Sequence, residues 1–234
     1  MKAGTNYKRS AQAGFTLVEI AIVLVIIGLL LGGILKGQEM ITQAKIKNLI
    51  NDFNGVTAAV NSYQDRYRAL AGDDLQAATR WASITTVAAG NGDGVWTCSG
   101  GATAGYKTIL AAAPTSADEC NLFWQHLRLG GFVQGATQGA AAGQQPSNAV
   151  NGITGVETGS GAATLGFASN MICTTNLPDK VAIAVETNMD DGVYNTGVLR
   201  GIKQTGPNPD LRAQATTDAY IEDGVSQWTI CKNL

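Results

Sequence analysis

From Phe15 to Leu35 the chain reads FTLVEIAIVLVIIGLLLGGIL, twenty-one residues in which Glu19 is the only charge. As an α-helix rising 1.5 Å per residue, the run is roughly 32 Å long, which matches the ~30 Å hydrocarbon core of a bilayer. It is expected to span a membrane, and the rest of the chain has to be arranged around it. Lys2, Lys8 and Arg9 precede it with no acid among them, which favours a cytoplasmic N-terminus, although Lys36, Lys45 and Lys47 beyond it weaken the asymmetry. Residues 71–234 hold eight basic and fourteen acidic side chains, an acidic body on the outer side. With 16 Lys and Arg against 18 Asp and Glu, the whole chain offers no electrostatic case for nucleic-acid binding. Its 45% hydrophobic and 15% charged content excludes charge-driven disorder.

Two residues at the start of the run stand out. An ordinary secretory signal carries its small-residue cleavage site after the apolar region, whereas here the small residue Gly14 comes before it. Cleavage at Gly14 would leave the apolar helix on the mature chain, beginning at Phe15. Glu19 is a carboxylate in an otherwise apolar span, and intramembrane acids pair or face a protein interior. It either snorkels to the head groups at a favourable helix N-terminus or awaits a cationic partner. Beyond the span, Ile46, Leu49, Ile50, Phe53, Val56, Val60, Tyr63, Tyr67 and Leu70 recur at three and four residues, the period of an amphipathic helix. Joined to the span this predicts one helix of about 56 residues, roughly 84 Å long. The alternative is two helices broken near Gly37 or Gly55.

The string Gly14-Phe15-Thr16-Leu17-Val18-Glu19, followed by sixteen uncharged and mostly aliphatic residues, resembles the class III signal of type IV pilins and type II secretion pseudopilins. The resemblance covers residues 8 to about 70. It implies that a prepilin peptidase cuts between Gly14 and Phe15 and that the new Phe15 amine is N-methylated. It also implies that Glu19 pairs with the Phe15 amine of a neighbouring subunit and sets the axial register of a filament. An inner-membrane platform protein and a separate assembly ATPase are the further partners it implies. Lys36 stands where many of these proteins have a proline, so any flexibility there would come from Gly28, Gly32 and Gly33, which otherwise serve as small-residue helix contacts.

After residue 70 the helical period fades. Ser116 and Glu119 fit a capping box, and Gly130-Gly131 a stop, so a short helix is predicted over 116–129. Val181–Thr187, Gly197–Lys203 and Ser226–Lys232 read as strands, and Leu165–Ile172 more weakly. Short strands without a βαβ rhythm predict an antiparallel sheet. Residues 134–170 contain eight Gly, eight Ala and one charge, Glu157, and are expected to form an exposed, mobile excursion.

The four cysteines, Cys98, Cys120, Cys173 and Cys231, form no CxxC pair, which argues against a zinc ribbon or thioredoxin-type motif. An even number beyond the span favours two disulfides. Of three possible pairings, Cys98 with Cys120 and Cys173 with Cys231 is preferred, the second resembling the C-terminal loop of many pilins. Asn91-Gly92-Asp93-Gly94 and Asp190-Asp191-Gly192 with Asn195-Thr196-Gly197 offer oxygen ligands that suit calcium, but neither completes an EF-hand and both also suit turns. No cofactor is required, and calcium is the one candidate. His126, the only histidine, is expected to be a packed or surface residue rather than a general base. GxSxG, HExxH and Walker A motifs are absent, and Tyr106 stands where the phosphate-loop spacing of Gly100 and Gly105 would need Lys.

The expected organisation is a leader over 1–14, a membrane helix over 15–35, its amphipathic continuation over 36–70 and a head over 71–234. The fold class is α+β, a long N-terminal helix packed on an antiparallel sheet. The expected function is that of a non-enzymatic pilin-like subunit, matured at the bacterial inner membrane and assembled into a type IV pilus or type II secretion pseudopilus, periplasmic or extracellular. A membrane-anchored extracytoplasmic binding protein or adhesin that does not polymerise is the alternative.

Overall fold

The computed structural model describes residues 16–84, 86–98 and 105–234. Gly14, Phe15 and Gly100 lie outside the described residues, so the cleavage and methylation positions are not among them. Helix α1, Leu17–Tyr67, is continuous over 51 residues. It contains no proline, and it runs through Gly37 and Gly55 without the break that either could have introduced. It stops short of Leu70, in a turn where Arg68 takes a φ of 54°.

The chain divides into two units, one ending at Gln43 and the other running from Ala44 to Leu234. In the first, the large apolar side chains from Leu17 to Leu35 are exposed. The most apolar window of the helix has a mean hydropathy of 2.8 and none of it is buried. Water does not favour such a surface, so the helix is long and apolar enough to cross a membrane. In the second unit, Ile46, Leu49, Phe53, Val56, Val60 and Tyr63 are buried, the stripe that the three-and-four spacing predicted.

Among its described residues the second unit adds three α-helices, α2 (Ala77–Arg80), α3 (Glu119–Leu129) and α4 (Asp179–Met189), and four strands, β1 (Thr154–Thr158), β2 (Asn170–Pro178), β3 (Leu199–Lys203) and β4 (Gln227–Asn233). The strands form one sheet in the order β1-β2-β4-β3, antiparallel at every pairing. The α+β architecture with an antiparallel sheet is the one the sequence predicted. Successive residues point to opposite faces. Ile172, Leu199, Trp228 and Ile230 join the stripe of α1 and the apolar faces of α3 and α4 in the main core. Met171, Cys173, Ile202 and Cys231 form a second core with Tyr106, Leu165 and Phe167. Both faces of the sheet are therefore covered.

Four expectations are corrected. Val181–Thr187 is part of helix α4 rather than a strand. Its buried residues, Val181, Ala182, Val185 and Glu186, fall at i, i+1, i+4 and i+5, one helical face, and Asp179 lies in the first turn, where an acid suits the helix dipole. Residues 134–170 are not an exposed excursion, because they contribute β1, and Ala142, Val156, Leu165 and Phe167 are buried. Their small side chains allow close backbone approach: a Cβ on Gly155 would collide with the Tyr106 carbonyl, and one on Gly159 with that of Phe167. The segment needs no large core of its own because it lies along a sheet that other residues build. The weak strand over Leu165–Ile172 begins only at Asn170, since Leu165 takes a φ of 57° and Gly161 bridges to Phe167 to close a turn. Finally, the Ser116–Glu119 capping box does not form. Asp118 accepts the Thr115 N–H and hydroxyl at 2.8 and 2.7 Å, and the Glu119 carboxylate turns away to another loop.

Candidate functional site

At the start of α1, Thr16 and Glu19 cap the helix reciprocally. The Thr16 N–H and hydroxyl each donate to Glu19 Oε2 at 2.8 Å, and the Glu19 N–H donates to Thr16 Oγ1 at 3.3 Å. This is a capping box, two orphan amide donors of the first turn satisfied by side chains. The Thr-x-x-Glu spacing that makes this cap lies inside the string from Gly14 to Glu19. Among the described residues the other carboxylate oxygen of Glu19 receives no donor.

The head carries two disulfides. Cys98 is bonded to Cys120 with Cα atoms 5.2 Å apart, tying the segment before α3 to its first turn. Cys173 is bonded to Cys231 with Cα atoms 4.0 Å apart, and the two are directly opposite in the register of β2 and β4. The second closes a loop that contains α4 and β3.

Both glycine-rich acidic stretches gather carboxylates, but they do so differently. In the first, Asp73, Asp93 and Glu119 come together. Asp73 accepts the N–H groups of Gly92, Asp93 and Gly94, and Glu119 accepts those of Asn91 and Thr97. Asp93 accepts from Val95 N–H and the Asn91 amide. Every carboxylate oxygen here has a donor, so the cluster works as a scaffold for the 91–97 turn. Burial raises the Glu119 pKa, the Thr97 and Asn91 bonds oppose this, and the charges of Asp73 and Asp93 add to the rise.

In the second, Glu186, Asp190 and Asp191 come together at the end of α4. The Tyr220 hydroxyl donates to Glu186 Oε2 at 3.0 Å, and Gly201 leaves room for that hydroxyl where a Cβ would collide with it. Glu186 Oε1 is buried without a partner. Burial first, and then the charges of Asp190 and Asp191, push the Glu186 carboxyl up to about 7 against the Tyr220 bond. Glu186 was missed in the sequence because the segment read as a strand, which would have put it on no particular helical face.

His126 is buried in the core. Its Nδ1 accepts the Gly72 N–H at 3.0 Å and its Nε2 lies 3.0 Å from the Ala88 carbonyl, an arrangement that fits the neutral ring protonated on Nε2. Both nitrogens serve the backbone, so the ring is a packed residue. Burial lowers its pKa to about 4, with the Ala88 bond and the Asp74 charge working the other way. A depressed histidine pKa stabilises the fold above the unfolded value near 6.5, and that contribution is lost as the pH falls from there towards 4. The loss amounts to about 3 kcal/mol. Chemical denaturation of wild type and His126→Gln between pH 7 and 4 should show the gap between them narrowing as the pH drops; a constant gap would refute the assignment.

Residues 9–35 match the family model described as the prokaryotic N-terminal methylation motif. The chain carries a class III prepilin signal. Gly14, Phe15, Thr16 and Glu19 all fall within the methylation motif. The motif is that of type IV pilins and pseudopilins, a structural rather than catalytic class, and it supports a pilin-like or pseudopilin precursor processed by a prepilin peptidase. Together with the exposed apolar half of α1, the motif is consistent with membrane anchoring. Comparison with curated proteins and with solved structures finds no match.

Proposed function

We propose that the chain is a structural subunit that is cut between Gly14 and Phe15, N-methylated on Phe15, and assembled through α1 into a type IV pilus or type II secretion pseudopilus. The observation that carries this reading is that the methylation motif leads directly into one unbroken helix. The apolar part of that helix is exposed, and its amphipathic part is buried under the head. A helix of this kind can leave lipid for a shared filament core, where packing replaces lipid contact. Glu19 supplies the register. Its second carboxylate oxygen is uncommitted among the described residues and suits the methylated Phe15 amine of a neighbouring subunit, a charge-assisted hydrogen bond that would offset the burial of both charges. The two disulfides brace the head in the oxidising space outside the inner membrane. A platform protein and a cytoplasmic ATPase would drive extrusion.

Intact-mass and N-terminal peptide mass spectrometry on the native protein, from membranes and from sheared surface filaments, tests the reading. The expected result is a terminus at Phe15 that carries one methyl group. An unmethylated terminus upstream of Gly14 in peptidase-competent cells would overturn it.

A further inference from the structure

We propose that the cleft between α1 and the second half of α3 binds a small organic cation, a protonated amine carried with an oxygen acceptor on an apolar body. Every residue that lines the cleft belongs to the second unit, and its volume is about 270 Å³. That is the small end of ligand pockets, which start at roughly 300 Å³, and it fits one ring with a short chain. Val56, Trp124, Phe132, Val133 and Pro146 wall it, so the interior is apolar and partly aromatic, a surface that attracts organic cations. Among the described residues no Lys, Arg or His lines the cleft, and Asp52 is the one charged side chain that does.

The sign of the ligand follows from Asp52. This carboxylate has no ion pair and accepts no hydrogen bond among the described residues. The cleft walls keep water from it, which raises its carboxyl pKa, and no bond or neighbouring charge works the other way. Asp74 and Asp218 are shielded too, but Arg80 and Arg212 pair with them. An amine seated on Asp52 would replace the lost solvation with a charge-assisted bond.

Two further observations distinguish the cleft from a packing gap. Trp124 is fully buried, and its Nε1 has no acceptor, the one buried polar atom among the lining residues left without a partner. A buried donor in that state is unfavourable, and an oxygen brought in beside the amine would satisfy it. Gly55 also lines the cleft, and a Cβ on it would meet no atom within 4 Å, so α1 leaves open space where any other residue would intrude. An apolar pocket with a few polar groups and a perturbed carboxylate is the general form of a small-molecule site. The site goes beyond the filament reading and does not depend on it.

The experiment is isothermal titration calorimetry of the detergent-solubilised full chain with phenylalanine amide at about pH 6.5, where its α-amine is protonated, beside 3-phenylpropanamide, the same molecule without the amine. Partition into micelles is common to every variant and cancels in the comparison. Phenylalanine amide is expected to bind one site with a Kd of about 1 mM, the strength open to a ligand of so few atoms, and 3-phenylpropanamide at least about tenfold more weakly. Asp52→Asn should weaken phenylalanine amide at least about tenfold. Gly55→Leu, which improves helix propensity and fills the cleft, should abolish binding, so a folding failure at one position does not decide the test. Asp65→Asn, at an exposed position later on α1, should leave binding unchanged. The proposal is overturned by absence of saturable binding up to about 20 mM, by equal affinity for the two probes, by wild-type affinity in the variants at 52 and 55, or by loss of binding in Asp65→Asn. Self-association of the chain that Asp52→Asn abolishes would also overturn it, since the cleft would then be a contact between copies.

Discussion

Replacing Glu19 with valine is expected to leave cleavage after Gly14 and membrane insertion intact while lowering filament yield at least about tenfold, because under the proposed pairing the cationic amine of a neighbouring subunit would lose its counter-charge in an apolar core. The substitution also removes the capping box with Thr16, so valine alone would not separate helix capping from subunit pairing. Glu19→Gln makes the separation. Glutamine serves as well as glutamate at this position of a capping box, so it keeps the bond from the Thr16 N–H and loses only the charge. If Glu19 sets register through its charge, both variants are processed and neither assembles well. If glutamine restores normal filament yield in sheared fractions, the carboxylate is only a helix cap and the register role fails.

In the head the largest single loss is expected at Asp74. Its side chain is 1% exposed and ion-paired with Arg80. It also accepts the Tyr63 hydroxyl at 2.6 Å and the Gln76 N–H at 2.8 Å. Burial works against this carboxylate, but the bonds from Arg80, Tyr63 and Gln76 outweigh it and hold the pKa below the usual carboxylate value. Asp74→Ala leaves the buried Tyr63 hydroxyl without its acceptor and takes the counter-charge from the partly buried Arg80 guanidinium, which keeps only a long bond to the Tyr63 hydroxyl at 3.4 Å. Breaking one side of such a pair costs about 3 kcal/mol, at the lower end of the range because Arg80 can still reach water. For a domain of this size the unfolding temperature should fall by about 6–12 °C. A shift under about 2 °C would mean that the link between α1 and the 71–80 turn is not held by this network.

The periodicity of the sequence revealed those parts of the protein whose chemistry is local. An apolar run of membrane length with one acid, an unbroken three-and-four stripe without proline, and the Gly14-to-Glu19 string can be read without any partner because each is an interaction of a residue with its near neighbours or with solvent. Gly197–Lys203 and Ser226–Lys232 were legible for the same reason, as alternation over a half-buried ladder. The failures share one cause. VAIAVET satisfies both an alternating and a helical pattern, and only the sheet beneath it decides that Val181, Ala182, Val185 and Glu186 form the inner face. Residues 134–170 have too few large side chains to announce a strand, yet Thr154–Thr158 becomes an edge of the sheet because β2 already offers it a ladder and Gly155 lets Tyr106 approach.

The carboxylate cluster at the end of α4 divides in the same way. Asp190 and Asp191, followed by glycine, are visible as a turn rich in oxygen donors, but Glu186 is not. It joins them only because α4 brings the residue four positions earlier over the same helix end, and because Gly201 admits Tyr220 to one of its oxygens and leaves the other bare. The sequence by itself determined the long helix and the prepilin signal, since these follow from spacing and hydropathy along one stretch of chain. Only the tertiary structure decided which carboxylates are satisfied and which are not, because a hydrogen-bond donor from a distant segment leaves no trace in the spacing of the residues it serves.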